Sequence, residues 1–189
     1  MKEQLMMAAT IFLMIFGFVA AFDGLYLHLW KYKLYARAES ISEHKLHTLQ
    51  GILFAPVVFF LFYKDFGGWA LWAGVLFIAF EQVVEIMDVL SERDSRAGLG
   101  GLSSTEYAAH AIAITARTAA IALALAAKPL SAWSLSSPLV IGPEHAMASS
   151  VAFNTIVGNL LVVALHVWLM RGKYRADVRP LPVRVCCEA

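Results

Sequence analysis

Five apolar stretches alternate with short polar segments along the chain, at about residues 5–30, 41–63, 69–90, 104–127 and 144–170. A bilayer core about 30 Å thick calls for roughly 20 apolar residues per helix. The pattern therefore predicts an all-α integral membrane protein. Residues 1–171 are expected to form a five-transmembrane-helix bundle, and residues 172–189 a flexible basic tail. The turn Lys64-Asp65-Phe66-Gly67-Gly68 is short, so spans two and three are expected to be antiparallel neighbours. Pro56 falls inside span two, where a membrane helix tolerates a kink. Ser103 followed by Glu106 reads as a capping box opening span four. Pro129, Pro138 and Pro143 mark an irregular connector, with Trp133 as an interface anchor.

Composition agrees. Sixty per cent of the 189 residues are hydrophobic and 15% are charged, against roughly 25% charged in soluble domains. No separate soluble domain is expected. The net charge of +1 gives no reason to expect a nucleic-acid partner. The two cysteines, Cys186 and Cys187, are adjacent and cannot staple a fold. The ending Cys-Cys-Glu-Ala lacks the middle residues of a prenylation box, so a mobile tail is the better reading. The first stretch follows Lys2 and contains Ala20-Ala21, as a signal peptide does. It is read here as a retained span.

Orientation follows from lysine and arginine. Lys2, Lys64 and Lys128 fall on one side of a five-span topology. Lys31, Lys33, Arg37, Lys45, Arg93, Arg96 and the tail residues Arg171, Lys173, Arg175, Arg179 and Arg184 fall on the other. The positive-inside rule puts that second side, and the C-terminus, in the cytoplasm. The expected location is the plasma (inner) membrane, multi-pass, with the N-terminus outside.

The polar residues of the spans then collect in one layer near the cytoplasmic side. Span one contributes Asp23 and His28, and span two contributes Glu43, His44 and His47. Span three contributes Glu81, Glu85 and Asp88, span four Glu106 and His110, and span five His166. At 1.5 Å per residue, all lie within roughly 15 Å of that interface. Glu81, Glu85 and Asp88 share one helical face, as do Glu43 with His47 and Glu106 with His110. Two donors from one helix converging on one ion require such spacing. Glu81 and Glu85 repel each other in an apolar helix unless protonated or metal-bound. Each element alone also has a plainer reading: an interfacial charge for His28, Glu43 and His44, a cap for Glu106, a hydrogen-bonding group for Asp88 and His166.

Carboxylates mixed with imidazoles suit iron, zinc or manganese. Eleven candidate groups exceed one tetrahedral zinc and match two metals with part of a surrounding shell. Bundle di-iron sites combine glutamates with Glu-x-x-His pairs; Glu106-x-x-x-His110 and His44-x-x-His47 are the nearest equivalents here. The run His44-Lys45-Leu46-His47, with the scattered histidines, resembles the histidine boxes of integral-membrane di-iron desaturases and hydroxylases. This chain lacks that family's paired His-His ends, and no residue assignment is carried over. The resemblance implies iron chemistry on a lipid-soluble substrate.

Arg117 lies about 20 Å into span four and needs an acidic partner, for which Glu81 is the deepest acid. The pair is either a structural ion pair or part of the catalytic apparatus, orienting an anionic substrate or locking the metal carboxylates. Asn154 and Asn159 are placed to bond across helices. Glu144 and His145 belong to the opposite membrane face.

The function expected from these residues is a membrane metalloenzyme with a two-metal, di-iron His/carboxylate site. It would act as an oxidoreductase on a lipophilic small molecule, with a redox partner on the cytoplasmic side and a homo-oligomer as one arrangement. A zinc hydrolase is a variant, without an HExxH motif. The alternatives are a divalent-metal or proton transporter and a b-type haem electron-transfer protein.

Overall fold

The computed structural model describes residues 1–143 and 145–174. Glu144 and the part of the basic tail from Arg175 onward, with Cys186 and Cys187, lie outside the described residues. The fold is all-helical. Helix α1 (Lys2–Ala21) continues as a π-helix over Phe22–Lys31. Helix α2 (Ile41–Val58) continues likewise over Phe59–Tyr63. They are followed by α3 (Gly68–Ser95), α4 (Ser104–Ala126) and α5 (Ala146–Leu169). All five are long and apolar enough to cross a membrane.

Two boundaries differ from the hydropathy pattern. Helix α3 runs on from the expected end near Leu90 to Ser95, because Glu92, Arg93 and Asp94 are polar without being helix breakers. It stops before Gly100 and Gly101, whose φ angles of 86° and 91° suit only glycine well. Helix α5 starts at Ala146, after Pro143. The capping box at α4 forms as its sequence signature predicts. Ser103 Oγ accepts from the Glu106 backbone N–H, and the Glu106 side chain accepts from the Ser103 N–H.

Helix α1 packs along α4, and α2 packs along α3. Helix α5 closes the bundle against α2 and α1. The centre combines Leu13, Phe54, Val57, Val58 and Leu61 with alanines 120, 124, 148 and 152. Small residues on α4 and α5 let backbones approach, as in membrane bundles generally. Gly51 shows such an approach between α2 and α5. A Cβ there would stand 2.6 Å from the Val163 side chain, and Asn159 Nδ2 donates to the Gly51 carbonyl at 2.6 Å. The expected cross-helix bond of Asn159 therefore exists. Asn154 instead donates within its own helix, to the Ser150 carbonyl. The outer faces carry Phe18, Leu76, Phe80, Val83, Leu161 and Val167, all well exposed. Such large apolar surfaces suit lipid and not water.

The end of the bundle at the α2–α3 turn is tied by one buried acid. Asp65 takes Lys2 Nζ at 2.5 Å and Lys128 Nζ at 3.0 Å, joining the start of α1 to the segment after α4. Burial pushes the Asp65 carboxyl up, but the hydrogen bonds and charges of the two lysines outweigh it and hold it below the usual carboxylate range.

Candidate metal centre

The opposite end of the bundle gathers its polar side chains between the α1/α4 pair and the α2/α3 pair. The π-helix of α1 is what makes this possible locally. In an α-helix, residues five apart point about 140° away from each other. With i→i+5 bonding they stand one above the other. Asp23 and His28 are five apart, and Asp23 Oδ2 lies 3.4 Å from His28 Nε2.

Two overlapping groups result. Asp23, His28 and His110 place one donor atom each within 4.8 Å of one another, and so do His28, Glu43 and His47. An ion held at about 2 Å bonds has its ligand atoms at most about 4 Å apart, so shifts of about an ångström close either group. Asp23 Oδ2 stands 3.2 Å from His110 Nε2. The His28 and His47 rings are 4.5 Å apart between centroids.

His28 belongs to both groups and is 1% exposed. Both of its ring nitrogens are buried without a hydrogen-bond partner. The same is true of Asp23 Oδ1, Glu43 Oε1, His47 Nε2 and His110 Nε2. Buried polar atoms are nearly always partnered, because leaving one bare costs about 1–3 kcal/mol. Several such atoms facing one another in one place could hold a cation. Their chemistry, imidazole with carboxylate, fits iron, zinc or manganese.

Helix α3 backs this set from outside. His110 Nδ1 lies 3.0 Å from Glu92 Oε1, which leaves Nε2 for the centre. A carboxylate behind a ligating imidazole is the usual way of fixing its tautomer and raising its basicity. Asp88 Oδ2 lies 3.4 Å from His47 Nε2. Arg96 is wholly buried and binds two carboxylates with different nitrogens, Glu43 Oε2 from Nη1 at 2.6 Å and Glu106 Oε1 from Nε at 2.9 Å. Burial pulls the guanidinium down, but Glu43 and Glu106 outweigh it and raise it further.

The remaining expected residues stand elsewhere. Glu106 is used by its cap and by Arg96. His44 and His166 form a separate stacked pair toward α5, with ring centroids 4.6 Å apart. His44 Nε2 lies 3.2 Å from the His166 carbonyl, and Thr48 Oγ1 lies 3.4 Å from His166 Nδ1. Glu81 pairs directly with Arg117. Arg117 also reaches Glu85 at 3.0 Å, and Gln50 donates to Glu85 at 3.3 Å. Glu81 is seven residues from Asp88, about 10 Å along α3. This cluster is thus a deeper layer beneath the two donor groups.

Sequence reasoning did not single out Glu92 or Arg96. Both sat in a charged, glycine-containing stretch that reads as a solvated loop. A helical continuation of the 81, 85, 88 face does reach position 92, which was the available signal for Glu92. Nothing local marks Arg96 as buried. Comparison with protein-family models, with curated proteins and with solved structures gives no match for this chain, so a functional reading rests on the geometry of this centre.

Proposed function

We propose that the chain is an integral membrane metalloprotein with a two-metal His/carboxylate centre, working as an oxidoreductase on a lipid-soluble substrate. The observation that carries this is His28, fully buried at the junction of two donor groups with both nitrogens unpartnered. Two such groups, built from four histidine and carboxylate side chains around a shared imidazole, favour two ions over one. Iron is the preferred metal, because hard carboxylates mixed with imidazoles and open positions are iron's ligand pattern, with zinc and manganese as alternatives.

In this reading Asp23 and His110 hold one ion and Glu43 and His47 the other, with His28 between. Glu92 keeps His110 in the tautomer that offers Nε2. Arg96 offsets part of the negative charge of Glu43 and Glu106 and keeps the layer from repelling itself. Bound iron would supply one-electron redox chemistry toward oxygen or peroxide. The exposed apolar faces put a lipophilic substrate within reach of the same layer, and the lysine and arginine bias orients that layer to the cytoplasm, where a redox partner would dock.

A translocation pathway is less well supported. The apolar core of Leu13, Phe54, Val57, Val58 and Leu61 lies between the donor layer and Asp65. A b-type haem needs room between two axial imidazoles, and the facing imidazoles here have ring centroids only 4.5 Å apart for His28 with His47 and 4.6 Å apart for His44 with His166.

The test is metal content per chain on protein purified without chelators, with an optical spectrum of the same sample. About two irons per chain and no Soret band is the expected result. One zinc per chain points to hydrolytic chemistry, and no stoichiometric metal after reconstitution with iron, zinc or manganese overturns the proposal.

A further inference from the structure

A second, chemically different donor set lies at the far end of the bundle, about 30 Å from Asp23 along α1. The first turns of α1 and the start of α5 enclose a groove of about 200 Å³. Its walls include Met6, Met7, Met147 and His145, with Glu3 at the rim and Thr10 below. His145 Nε2 is buried there without a hydrogen-bond partner. Thr10 is not its partner, since the Thr10 hydroxyl donates to the Met6 carbonyl at 2.7 Å.

We propose that this groove is a binding site for a soft monovalent cation, Cu(I), with Ag(I) as its redox-inert stand-in. Met6, Met7, Met147 and His145 all line this one space, Met6 buried and Met7 and Met147 at its open side. Thioether sulfur is a weak donor to hard cations and a good one to Cu(I). The unpartnered imidazole nitrogen is the anchor, and Glu3 supplies a carboxylate at the rim, which offsets the cation's charge. Methionine alone is a common filler of irregular gaps. Filling does not account for a buried imidazole nitrogen left bare beside three thioethers. The site differs in ligand softness from the carboxylate-rich centre at the other end, so the two select different metals.

The experiment uses the full chain in detergent, with methionine ε-methyl groups labelled with carbon-13, and Ag(I) as the probe. Single Met→Leu variants assign the resonances of Met6, Met7 and Met147. One equivalent of Ag(I) should shift these three and leave Met14, Met87 and Met170 in place. Competition with a Cu(I) chelator should show at least about tenfold weaker binding in M6L/M147L and in H145Q. Leucine conserves methionine's volume, so the double variant should fold as the parent does. Shifts confined to other methionines, or unchanged chelator competition in the folded M6L/M147L variant, would overturn the proposal.

Discussion

Asp23 and His28 are five residues apart in sequence and 3.4 Å apart between their polar atoms. The π-helical turn that aligns them belongs to the site, since an α-helical path would aim them at different neighbours. It explains why a centre can form from α1 at all, and it makes His28 the residue on which both donor groups depend.

Replacing His28 should therefore be more damaging to metal binding than replacing any other histidine. His28→Ala should weaken binding at both positions, by at least about tenfold. His44→Ala should leave metal content unchanged, because His44 is stacked on His166 and is in neither group. Metal analysis of monodisperse protein, run on both variants side by side, checks this. Loss in His44→Ala with His28→Ala unaffected would mean that the stacked pair, and not His28, holds the metal.

Arg117 is the only cation facing Glu81 and Glu85 in the deep layer among the described residues. Removing one partner of a buried pair costs on the order of 3–5 kcal/mol, because the other charge is stranded. Arg117→Ala should be destabilised to that extent. R117M/E81Q/E85Q should recover most of the loss, since no charge then remains unpaired. Unfolding curves in mixed micelles compare the three proteins. If the triple variant stays as unstable as the single one, the layer contributes more than charge balance.

Arg96→Lys tests geometry instead of charge. Arg96 binds Glu43 and Glu106 through different nitrogens of one rigid plane, and a lysine ammonium has no such fork. The lysine variant should keep the net charge but lose orientation of Glu43, with weaker metal binding and a lower Tm. Parent-like values for both would mean that any cation suffices at this position.

The Asp65 clasp predicts a pH response at the other end. The folded carboxyl is held below its unfolded value, so its contribution is present at neutral pH. It disappears as pH falls through about 4 and then through the lower folded value. Asp65→Asn should lower Tm at pH 7, and the gap from the parent protein should narrow as the solution is acidified through that range. A gap independent of pH would show that Asp65 acts through packing and not through its charge.

The spans were legible because apolar runs of about 20 residues have few other meanings. The Ser103–Glu106 cap and the Arg117–Glu81 pair were legible for a similar reason: each is a local demand with one nearby answer. The site was harder. Spacing on a regular α-helix groups Glu43 with His47 correctly, but separates Asp23 from His28, because a π-helix leaves no clear mark in sequence. Hydropathy ended α3 near Leu90, because its last turns are polar, Glu92 facing His110 while Arg93 and Asp94 are exposed, and this hid Glu92 and Arg96. His44 and His47 look equivalent in sequence. Only the positions of α3 and α5 on either side of α2 send one toward Asp88 and the other toward His166.

Arg117 lies 36 positions after Glu81 in the chain. During synthesis Glu81 and Glu85, the two deepest of the carboxylates on α3, are made before their counter-cation Arg117. Acids within a membrane span are costly unless they are paired. In a bilayer, α3 would be poorly suited to stable residence until Arg117 of α4 accompanies it. The Arg117–Glu81/Glu85 cluster therefore links α4 to α3 by charge, while the two helices pack mainly on α1 and α2 respectively.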